Sequence, residues 1–458
     1  MSGATTGLVL HPLVGGDVWE SEDTSTLNGV DGRFLADVRQ APPLLAQIAL
    51  KRAAEAAGGP VPAELLARAG QAFAEEELAG ESPQEYCRKA TLAAGIPHRV
   101  FVHALRYIRD GLTNAPAATA AELPLPLSSP DHEVRWTRRG RTLAVVAPSN
   151  HPEPHLAWAR AVSLGYGVVV RPGGRDPFTP LRLAHALYAA GLPKGRISIL
   201  PGSHETAEFL VKHADRALVY GGQDTMARWA GRESVAVRGP GRSKVLLCGA
   251  ADETSLVHVA HTVAADGGTR CTNTSVVLTT EDVDEVAAAL ATALARLPLL
   301  PVLDSRAALP AFTADRALAL AAEVDRLSRT GLRVHRTSEP GPDGTAELAD
   351  GSRTVPAAVM STRDPGHPEL GTELPFPFVL VAPWTAELGT KPLRDSLVLT
   401  VLGSSPELLE KIVNDPTVRR VVDGPADPWV SSPGLPHDGS LTTFLLEPKA
   451  VVRTGANR

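Results

Sequence analysis

The feature that most constrains this chain is an alternation that begins at His132. Short apolar runs alternate there with amphipathic stretches of helical spacing, which is typical of strands and crossover helices in a parallel sheet. The runs of the first group are residues 143–147, 168–171, 197–200, 217–220 and 235–237. The pattern predicts a doubly wound α/β unit, and such units bind ligands beyond the carboxyl ends of their strands.

A second group of runs starts with a strand at 244–248 and a helix at 253–265, and then reaches GGTRCTNTSVV at 267–277. Later strands are predicted at 355–360, 378–383, 396–402 and 444–446. Ahead of both groups, apolar residues at helical spacing occupy three segments between Pro43 and Leu112. One of them should begin with a capping box formed by Ser82 and Glu85 around Pro83. Residues 114–130 are interpreted as a connector.

Composition limits the class of protein. The chain has 458 residues, 43% of them hydrophobic, so it can form two or three domains with a substantial core. Its net charge of -6 provides no basic field, so neither nucleic acid nor an anionic membrane is expected as a partner. The three cysteines cannot form a disulfide framework, and no Cys/His spacing predicts a metal site. No apolar stretch is long enough to span a membrane, and we expect a cytoplasmic protein.

Cys271 is the strongest candidate for a reactive residue. It follows Arg270 in a Gly-Gly-Thr-Arg-Cys turn, an environment that can favour the thiolate and keep it accessible. The alternative is that the cysteine is a small buried apolar residue, which is the usual fate of a free cysteine. Cys248, inside KVLLC, and Cys87, on a predicted helix, fit that alternative.

The order of motifs over roughly residues 130–450 resembles the aldehyde dehydrogenase superfamily. VVAPSNHPEPHLAWARAVSLGYGVVVRP is similar to its Pro-Trp-Asn segment with the following helix and second strand, and AGLPKGRISILPG to its AGLPxGVxNxVxG stretch. YGGQDT lies where a nucleotide-side turn occurs, GTRCTNTSVV resembles the block around the nucleophile, and ELPFPFVLV resembles the EEIFGPVL block. Five matches in the correct order make coincidence improbable.

The resemblance assigns catalytic roles to two residues. Cys271 would be the nucleophile, and the side-chain amide of Asn150 would stabilise the oxyanion that forms when sulfur attacks a carbonyl, with the backbone N–H of Cys271 as a second donor. The alternative for Asn150 is an ordinary turn residue before His151 and Pro152.

The chain departs from hydrolytic members of the superfamily at one decisive position. Arg238 stands where those members carry a glutamate that activates water, and an arginine cannot accept a proton. The branch that commonly lacks this glutamate is the acylating one, which includes acyl-CoA reductases of the bioluminescence type. The resemblance therefore implies NAD(P)H-dependent reduction of an acyl thioester to an aldehyde through a Cys271 thioacyl enzyme. The alternatives are oxidation of an aldehyde to an acid, and a noncatalytic scaffold in a biosynthetic complex.

Several residues are expected at a dinucleotide site. Pro148 and Ser149 occupy positions of the Pro-Trp-Asn motif, Arg171 replaces a lysine that contacts the adenosine ribose, and Gly174 replaces the acid that selects NAD. With Arg175 alongside, this favours NADPH, although NADH is possible and both arginines can instead be ordinary surface charges.

The remaining cofactor candidates lie further along the chain. Gly221 and Gly222 would let the backbone approach the pyrophosphate, unless they simply form a turn. Glu373 and Phe376 would face the nicotinamide ribose, with Leu374 as the other candidate for that position. The polar cluster 437–439 is given no role.

The predicted architecture is that of an aldehyde dehydrogenase: a doubly wound parallel nucleotide-binding domain, an α/β catalytic domain and a small bridging or oligomerisation element. Residues 1–130 form the N-terminal helical part of the nucleotide-binding domain and 131–245 its Rossmann-like region, with a bridging hairpin at 132–147. Residues 246–435 form the catalytic domain, and 436–458 the C-terminal bridging strand. The expected partners are acyl-CoA or an acyl carrier protein, whose CoA or phosphopantetheine thioester carries the substrate, and a second copy in a homodimer or homotetramer.

Overall fold

The computed structural model describes residues 7–124, 132–249, 252–335 and 341–453. The α-helices within these ranges are α1 (Pro43–Ala56), α2 (Ala63–Glu75), α3 (Pro83–Ala94), α4 (His98–Thr113), α5 (Ala115–Glu122), α6 (His155–Ser163), α7 (Phe178–Ala189), α8 (His204–His213), α9 (Gln223–Trp229), α10 (Glu253–Ala264), α11 (Val283–Leu294), α12 (Ala314–Ser328), α13 (Pro406–Val413) and α14 (Leu441–Leu445). The strands are β1 (Val9–Leu10), β2 (Leu13–Val14), β3 (Asp17–Val18), β4 (Thr24–Asn28), β5 (Phe34–Arg39), β6 (His132–Arg138), β7 (Thr142–Val146), β8 (Gly167–Arg171), β9 (Ile197–Ile199), β10 (Arg216–Tyr220), β11 (Val235–Arg238), β12 (Ser243–Leu247), β13 (Thr274–Thr279), β14 (Arg333–His335), β15 (Ala346–Glu347), β16 (Arg353–Thr354), β17 (Ala358–Ser361), β18 (Phe378–Pro383), β19 (Ser396–Leu402), β20 (Val418–Asp423) and β21 (Leu446–Val452).

The first large sheet has seven strands in the order β11-β10-β7-β8-β9-β2-β3. The five strands from β11 to β9 are parallel, as the alternation of apolar runs predicts. Both faces of the sheet are buried under helices, because Val168 and Val170 pack into one hydrophobic core while Val169 packs into another on the opposite face. This two-sided burial explains why the strands read as continuous apolar runs.

The N-terminal region is more than a helical part of this domain. Its helices α1 to α4 are present, and the predicted capping box is confirmed, since Ser82 Oγ accepts the backbone N–H of Glu85 while the Glu85 carboxylate accepts the backbone N–H of Ser82. Five short strands precede these helices, however. Strands β2 and β3 extend the first sheet, and β1, β5 and β4 form a small sheet of their own. The predicted connector contains α5, and residues 125–131 lie outside the described part of the chain.

The second large sheet also has seven strands, in the order β14-β17-β18-β13-β12-β19-β20. All neighbouring pairs are parallel except β14 with β17. Strands β11 and β12 are consecutive in the chain but belong to different sheets, so the chain passes from one domain to the next at residues 239–242. The predicted boundary after residue 245 falls inside β12.

The bridging element is a two-stranded antiparallel ribbon of β6 and β21, with Arg135 opposite Lys449. The predicted hairpin over 132–147 is wrong, because β7 pairs with β8 and β10 in the first sheet. The predicted strand at 444–446 is displaced as well, since α14 occupies residues up to Leu445 and β21 begins at Leu446. Among the described residues, no helix combines the length and the apolar character needed to cross a membrane.

Candidate functional site

The loops that follow β7 and β8 meet at the carboxyl edge of the first sheet. Gly173 approaches the loop after β7 so closely that a Cβ on it would lie 2.7 Å from the backbone of Pro148 and 2.8 Å from Cβ of Ser149. The two predicted cofactor residues Pro148 and Ser149 therefore lie against the loop that carries Gly174 and Arg175. The absence of a side chain at Gly173 is what allows this contact.

A cavity of about 120 Å³ opens beside these loops. Arg171, Gly174 and Gly202 are among the residues that line it. The Arg171 Nε donates a hydrogen bond to the Gly202 carbonyl at 2.9 Å, which orients its guanidinium. A Cβ at Gly174 would meet no atom within 4 Å. Nη2 of Arg175 is buried and has no hydrogen-bond partner among the described residues, so this edge contains one cationic nitrogen without an acceptor.

Gly221 and Gly222 lie where β10 leads into α9. A Cβ at Gly221 would lie 2.5 Å from Oγ1 of Thr225, so packing within this turn already requires glycine there. Gly222 precedes α9 directly, and a Cβ on it would meet nothing within 4 Å. The contact with Thr225 is enough to explain the glycine at position 221, and no ligand is needed. The open space at Gly222 leaves the predicted approach of a pyrophosphate untested.

Cys271 lies in the turn between the 3₁₀ helix Ala265–Gly268 and β13. The loop between β11 and β12 covers the main chain of this cysteine, because a Cβ at Gly241 would lie 1.7 Å from the Cys271 carbonyl oxygen. Ser243 Oγ donates a hydrogen bond to the same oxygen at 3.0 Å. Cys271 is half-buried at the junction of the two domains, whereas Cys87 is fully buried.

The structure brings Asn150, the predicted oxyanion donor, to the cysteine turn. Its side-chain Nδ2 donates a hydrogen bond of 2.7 Å to the carbonyl of Thr269, two residues before Cys271. Asn150 is exposed, so it is not enclosed in a core. The contact fixes the amide beside the sulfur-bearing turn and leaves its second N–H for a ligand.

The charge of Arg270 favours the Cys271 thiolate, as its sequence position predicts, but larger effects outweigh it. The Arg270 guanidinium also forms ion pairs with Glu153 at 2.7 Å and with Asp266. Desolvation, followed by the charges of Glu373 and Glu153, raises the pKa of the Cys271 thiol to about 12. The resting cysteine is therefore a thiol at neutral pH.

Arg238, which the sequence resemblance aligns with the superfamily's glutamate, forms an ion pair with Asp438. Nη1 of the arginine lies 2.9 Å from Oδ2 of the aspartate, and the two side chains are 17% and 22% exposed. Arg238 is thus bound within the site and offers no base at that position.

The ELPF segment departs from its predicted role. Both carboxylate oxygens of Glu373 are occupied, because they accept the backbone N–H groups of Gly241 and Arg242 at 3.1 and 2.6 Å. Glu373 therefore fastens the loop that covers Cys271. The prediction that Phe376 faces a nicotinamide ribose is wrong, since its ring is 1% exposed and packs with Phe378 in the core of the catalytic domain.

His437 is the functional candidate that sequence reasoning missed. Its Nε2 lies 3.8 Å from Sγ of Cys271, although 166 residues separate the two in the chain. The polar cluster 437–439 was the only available signal, and its usual interpretation as a tail loop gave it no role. Contact with the cysteine depends on how the loop between β20 and α14 folds over the domain junction, which no local pattern predicts.

A larger cavity, of about 580 Å³, borders Arg270. Its walls come from α4, α10, the end of α11 and Trp429, and they are largely apolar. Arg270 lines this cavity and stacks on the Trp429 ring, with 5.5 Å between Cζ and the ring centroid. Among the described residues, no group of three His, Cys, Asp or Glu side chains is arranged to hold a metal ion.

Comparison with known proteins assigns the family. The profile of the aldehyde dehydrogenase family matches residues 19–387, most of the chain. The chain belongs to the aldehyde dehydrogenase family. Solved aldehyde dehydrogenases share its fold: an indole-3-acetaldehyde dehydrogenase in complex with NAD+ aligns over 98% of both chains with a TM-score of 0.82 at 20% identity. The aldehyde dehydrogenase KauB from Pseudomonas aeruginosa covers 96% of both chains with the same score and identity.

The curated relatives of this aldehyde dehydrogenase match it over shorter stretches. The phenylacetaldehyde dehydrogenase of Pseudomonas fluorescens is 37% identical over 25% of this chain and 24% of its own length. Malonate-semialdehyde dehydrogenase 1 of Geobacillus kaustophilus is 27% identical over 30% of each chain, and the mitochondrial 10-formyltetrahydrofolate dehydrogenase of Mus musculus is 29% identical over 34% of this chain and 17% of its own. The matched stretches thus span less than a third of these relatives.

Proposed function

We propose that this aldehyde dehydrogenase reduces an acyl thioester to an aldehyde, with Cys271 as the residue that takes up the acyl group. The observation that carries the proposal is the ion pair between Arg238 and Asp438 at the position of the hydrolytic glutamate. Because a guanidinium cannot accept a proton, water has no base at that position. The acyl group on Cys271 is then removed by reduction and not by hydrolysis.

The three carboxylates whose charges act on the Cys271 thiol support the same conclusion. The charges of Glu373, Glu153 and Asp438 all act on Cys271, and each group is occupied. Glu373 accepts two backbone N–H groups, Glu153 binds Arg270, and Asp438 binds Arg238. Against desolvation, the charge of Arg270 lowers the pKa of Glu153. Desolvation raises the pKa of Glu373, but two backbone N–H groups occupy both of its carboxylate oxygens.

Thioester exchange suits a site with these residues. Sulfur of Cys271 attacks the acyl carbonyl, and the side-chain N–H of Asn150 stabilises the oxygen that becomes negative. The departing group is the thiol of CoA or phosphopantetheine, which is a better leaving group than an amine or an alkoxide because it is a weaker base. The exchange therefore needs no strong acid, and it replaces one thioester with another of similar energy.

The carboxyl edge of the first sheet fits a nicotinamide dinucleotide. Arg171 and Gly202 line a cavity there, Gly174 and Gly222 have open space above them, and Arg175 carries a buried nitrogen without an acceptor. When bound, the dinucleotide supplies the hydride for reduction. The unpartnered nitrogen of Arg175 and the missing acid at Gly174 favour a ligand with an additional phosphate, so NADPH is the proposed cofactor.

The cavity of about 580 Å³ is the proposed site for the acyl chain. Val100, Ala260, Leu294 and Trp429 give it apolar walls, and Arg270, next to Cys271 in the chain, also lines it. Burying methylene groups there stabilises the bound substrate by about 0.8 kcal/mol for each group. The substrate class that fits is therefore an acyl thioester with an apolar chain, carried by CoA or by a carrier protein.

A second candidate is oxidation of an aldehyde to an acid. The specific observation in its favour is His437, whose imidazole lies within 3.8 Å of the Cys271 sulfur and is able to accept a proton from water. The phenylacetaldehyde and malonate-semialdehyde dehydrogenases among the relatives are named for aldehyde substrates.

One assay separates the two functions. The protein is mixed with NADPH and acetyl-, octanoyl- or palmitoyl-CoA, and loss of NADPH absorbance, free CoA and aldehyde are measured. In parallel, the matching aldehydes are supplied with NADP+ and no CoA. The proposal predicts one aldehyde and one CoA per NADPH in the first reaction and almost no acid in the second. Rapid acid formation without CoA, together with inactivity towards all three thioesters, would establish the second candidate instead.

A further inference from the structure

The loop at residues 424–440 carries His437 over the junction of the two domains. Arg420 on β20 anchors the loop, because its guanidinium donates hydrogen bonds of 3.1, 2.8 and 3.2 Å to the carbonyls of Pro428, Val430 and Pro436. One arginine thus ties together both arms of a loop that has little regular structure. Pro436 directly precedes His437, so this anchor fixes the main chain on one side of the imidazole.

The other side of His437 is anchored as well. Asp438, the next residue, pairs with Arg238 at 2.9 Å and with Arg419 of β20 at 3.7 Å. The residue that replaces the superfamily's glutamate is therefore also the residue that holds the histidine-bearing loop to the catalytic centre. The main chain of His437 is thus fixed on both sides, and its Nε2 lies 3.8 Å from a half-buried thiol. This position suits the exchange of a proton with that thiol.

We infer that His437 is the catalytic acid and base for Cys271, accepting the thiol proton during sulfur attack and returning it to the departing thiol. The inference rests on the proposed function, because it takes Cys271 as the acyl acceptor. It goes beyond that function in naming the group that moves the proton. The geometry carries it: nucleophile and base are in contact, the loop is anchored, and the usual carboxylate is absent from the position that Arg238 occupies.

The charge state of the resting pair determines how the transfer proceeds. Desolvation raises the pKa of the Cys271 thiol to about 12, and desolvation also lowers the pKa of His437. Both groups are therefore neutral at pH 7, and no thiolate–imidazolium pair exists before substrate arrives. The proton must leave sulfur while the new bond forms, which is general-base catalysis and contrasts with a preformed thiolate.

The charges around His437 oppose one another. Glu153 and Asp438 raise its pKa, whereas Arg420 and Arg238 lower it, and desolvation decides the direction. Part of the His437 side chain still reaches solvent on its loop, so its proton can be replaced from water between turnovers. The neutral base is present above the lowered pKa and is lost as the pH falls through it.

The step balances without any further reactant. A bond forms between Cys271 sulfur and the acyl carbon, the bond from that carbon to the CoA sulfur breaks, and the thiol proton passes through Nε2 of His437 to the CoA thiolate. Later, after the acyl group on Cys271 has accepted a hydride from the nicotinamide cofactor that would bind there, the bond from its carbon to the cysteine sulfur breaks and the aldehyde leaves. The sulfur departs as a thiolate and receives a proton from the imidazolium that solvent has recharged.

The test measures Cys271 reactivity directly. The protein and its His437→Gln variant are alkylated with iodoacetamide between pH 5 and 10, and the Cys271 peptide is quantified by mass spectrometry, with the Cys248 peptide as an internal reference. The native protein should show a rate that rises through a mildly acidic midpoint and then levels off. In His437→Gln the rate at pH 7.5 should fall about a hundredfold and rise only in alkaline solution.

Matched variants guard against loss of structure. His213→Gln makes the same change at an exposed histidine on α8 and should leave the alkylation profile of Cys271 unaltered. His437→Asn serves as a second variant if the glutamine form is unstable, and each protein is accepted only if its thermal midpoint matches the native one. Identical profiles for the native protein and both His437 variants would overturn the inference.

Release of CoA separates this inference from the proposed function. The same proteins are mixed with octanoyl-CoA in the absence of NADPH, and free thiol is measured in a single turnover. Slow CoA release in His437→Gln, with normal CoA release in His213→Gln, supports both the role of His437 and the proposed function. Undiminished release in His437→Gln would end the role of His437 while leaving the acyl enzyme intact. Alkylation that depends on His437 without CoA release from the native protein would end the proposed function alone.

Discussion

Arg238 and Asp438 are joined across the domain junction by an ion pair of 2.9 Å. The sequence resemblance aligns Arg238 with the glutamate that activates water in hydrolytic members of the superfamily, and this implies a first prediction. Arg238→Glu combined with Asp438→Asn restores a carboxylate base there and removes the charge that would repel it. Because general-base catalysis contributes about 10² to 10⁴ in rate, acid formation from octanal and NADP+ should rise at least tenfold.

The comparison for this variant is Arg238→Gln with Asp438→Asn, which breaks the same ion pair and supplies no base. Acid is measured by chromatography in the absence of CoA. Equal acid formation by the two double variants would show that position 238 does not reach the water that attacks the acyl enzyme.

The hydrogen bond from Asn150 to the Thr269 carbonyl implies a second prediction. Asn150→Ala removes the amide that faces the developing oxyanion, so kcat for NADPH oxidation with octanoyl-CoA should fall about 10² to 10³ while KM changes little. Asn414→Ala, at the exposed asparagine that follows α13, should leave both constants unchanged. A KM effect without a kcat effect would place Asn150 in substrate binding and not in oxyanion stabilisation.

Gly174 and Arg175 provide a third prediction, on cofactor choice. Gly174→Glu places a carboxylate in open space beside the cavity after β8, and it should lower kcat/KM for NADPH relative to NADH at least tenfold by repelling the additional phosphate. Arg175→Ala should shift the ratio in the same direction by removing the buried nitrogen without an acceptor. Gly174→Ala is the steric control, and a ratio that stays constant in all three variants contradicts the proposed preference for NADPH.

Asp176 provides a fourth prediction, on stability. Burial raises the pKa of this carboxyl to about 6, above its ordinary value of 3.8. The folded state therefore binds more protons than the unfolded state between about pH 4 and 6, and stability falls as the pH rises through that window. Asp176→Asn retains an oxygen for the Thr179 N–H and carries no charge. The effect of this substitution on the free energy of unfolding should therefore be more favourable at pH 7.5 than at pH 4, by about 2 to 3 kcal/mol.

Urea unfolding at the two pH values measures this difference. Asp415→Asn is a control of opposite sign, because hydrogen bonds from Thr417 and the Arg394 guanidinium lower the pKa of Asp415 and its contribution to stability is present above its unfolded pKa. That variant should lose stability at neutral pH. If Asp176→Asn shows the same free-energy change at both pH values, the aspartate is already ionised in the folded protein.

The framework of both domains was predictable because it depends on local patterns. Strands of the first sheet bury side chains such as Val169 and Val170 on opposite faces, so their apolar runs are visible without a structure. The capping box of Ser82 and Glu85 is equally local. The short strands before residue 40 were not predicted, since two-residue strands such as β2 and β3 carry no periodicity.

The candidate site was predictable only in part. Motif order located Cys271 and Asn150, and the structure joins their loops through Thr269. The contact of His437 with the cysteine depends on long-range anchoring by Arg420 and was missed. Phe376 was misjudged because a motif position does not indicate whether an aromatic ring faces the cleft or the core, and here it is buried.

The most direct test of the account is the mass of the protein after mixing with octanoyl-CoA in the absence of NADPH. The account predicts that the native chain gains one octanoyl group, located on the Cys271 peptide, with one CoA released per chain. It also predicts that Cys271→Ala gains none and releases no CoA. An octanoyl group on Cys248, or CoA release that persists unchanged in Cys271→Ala, would contradict it.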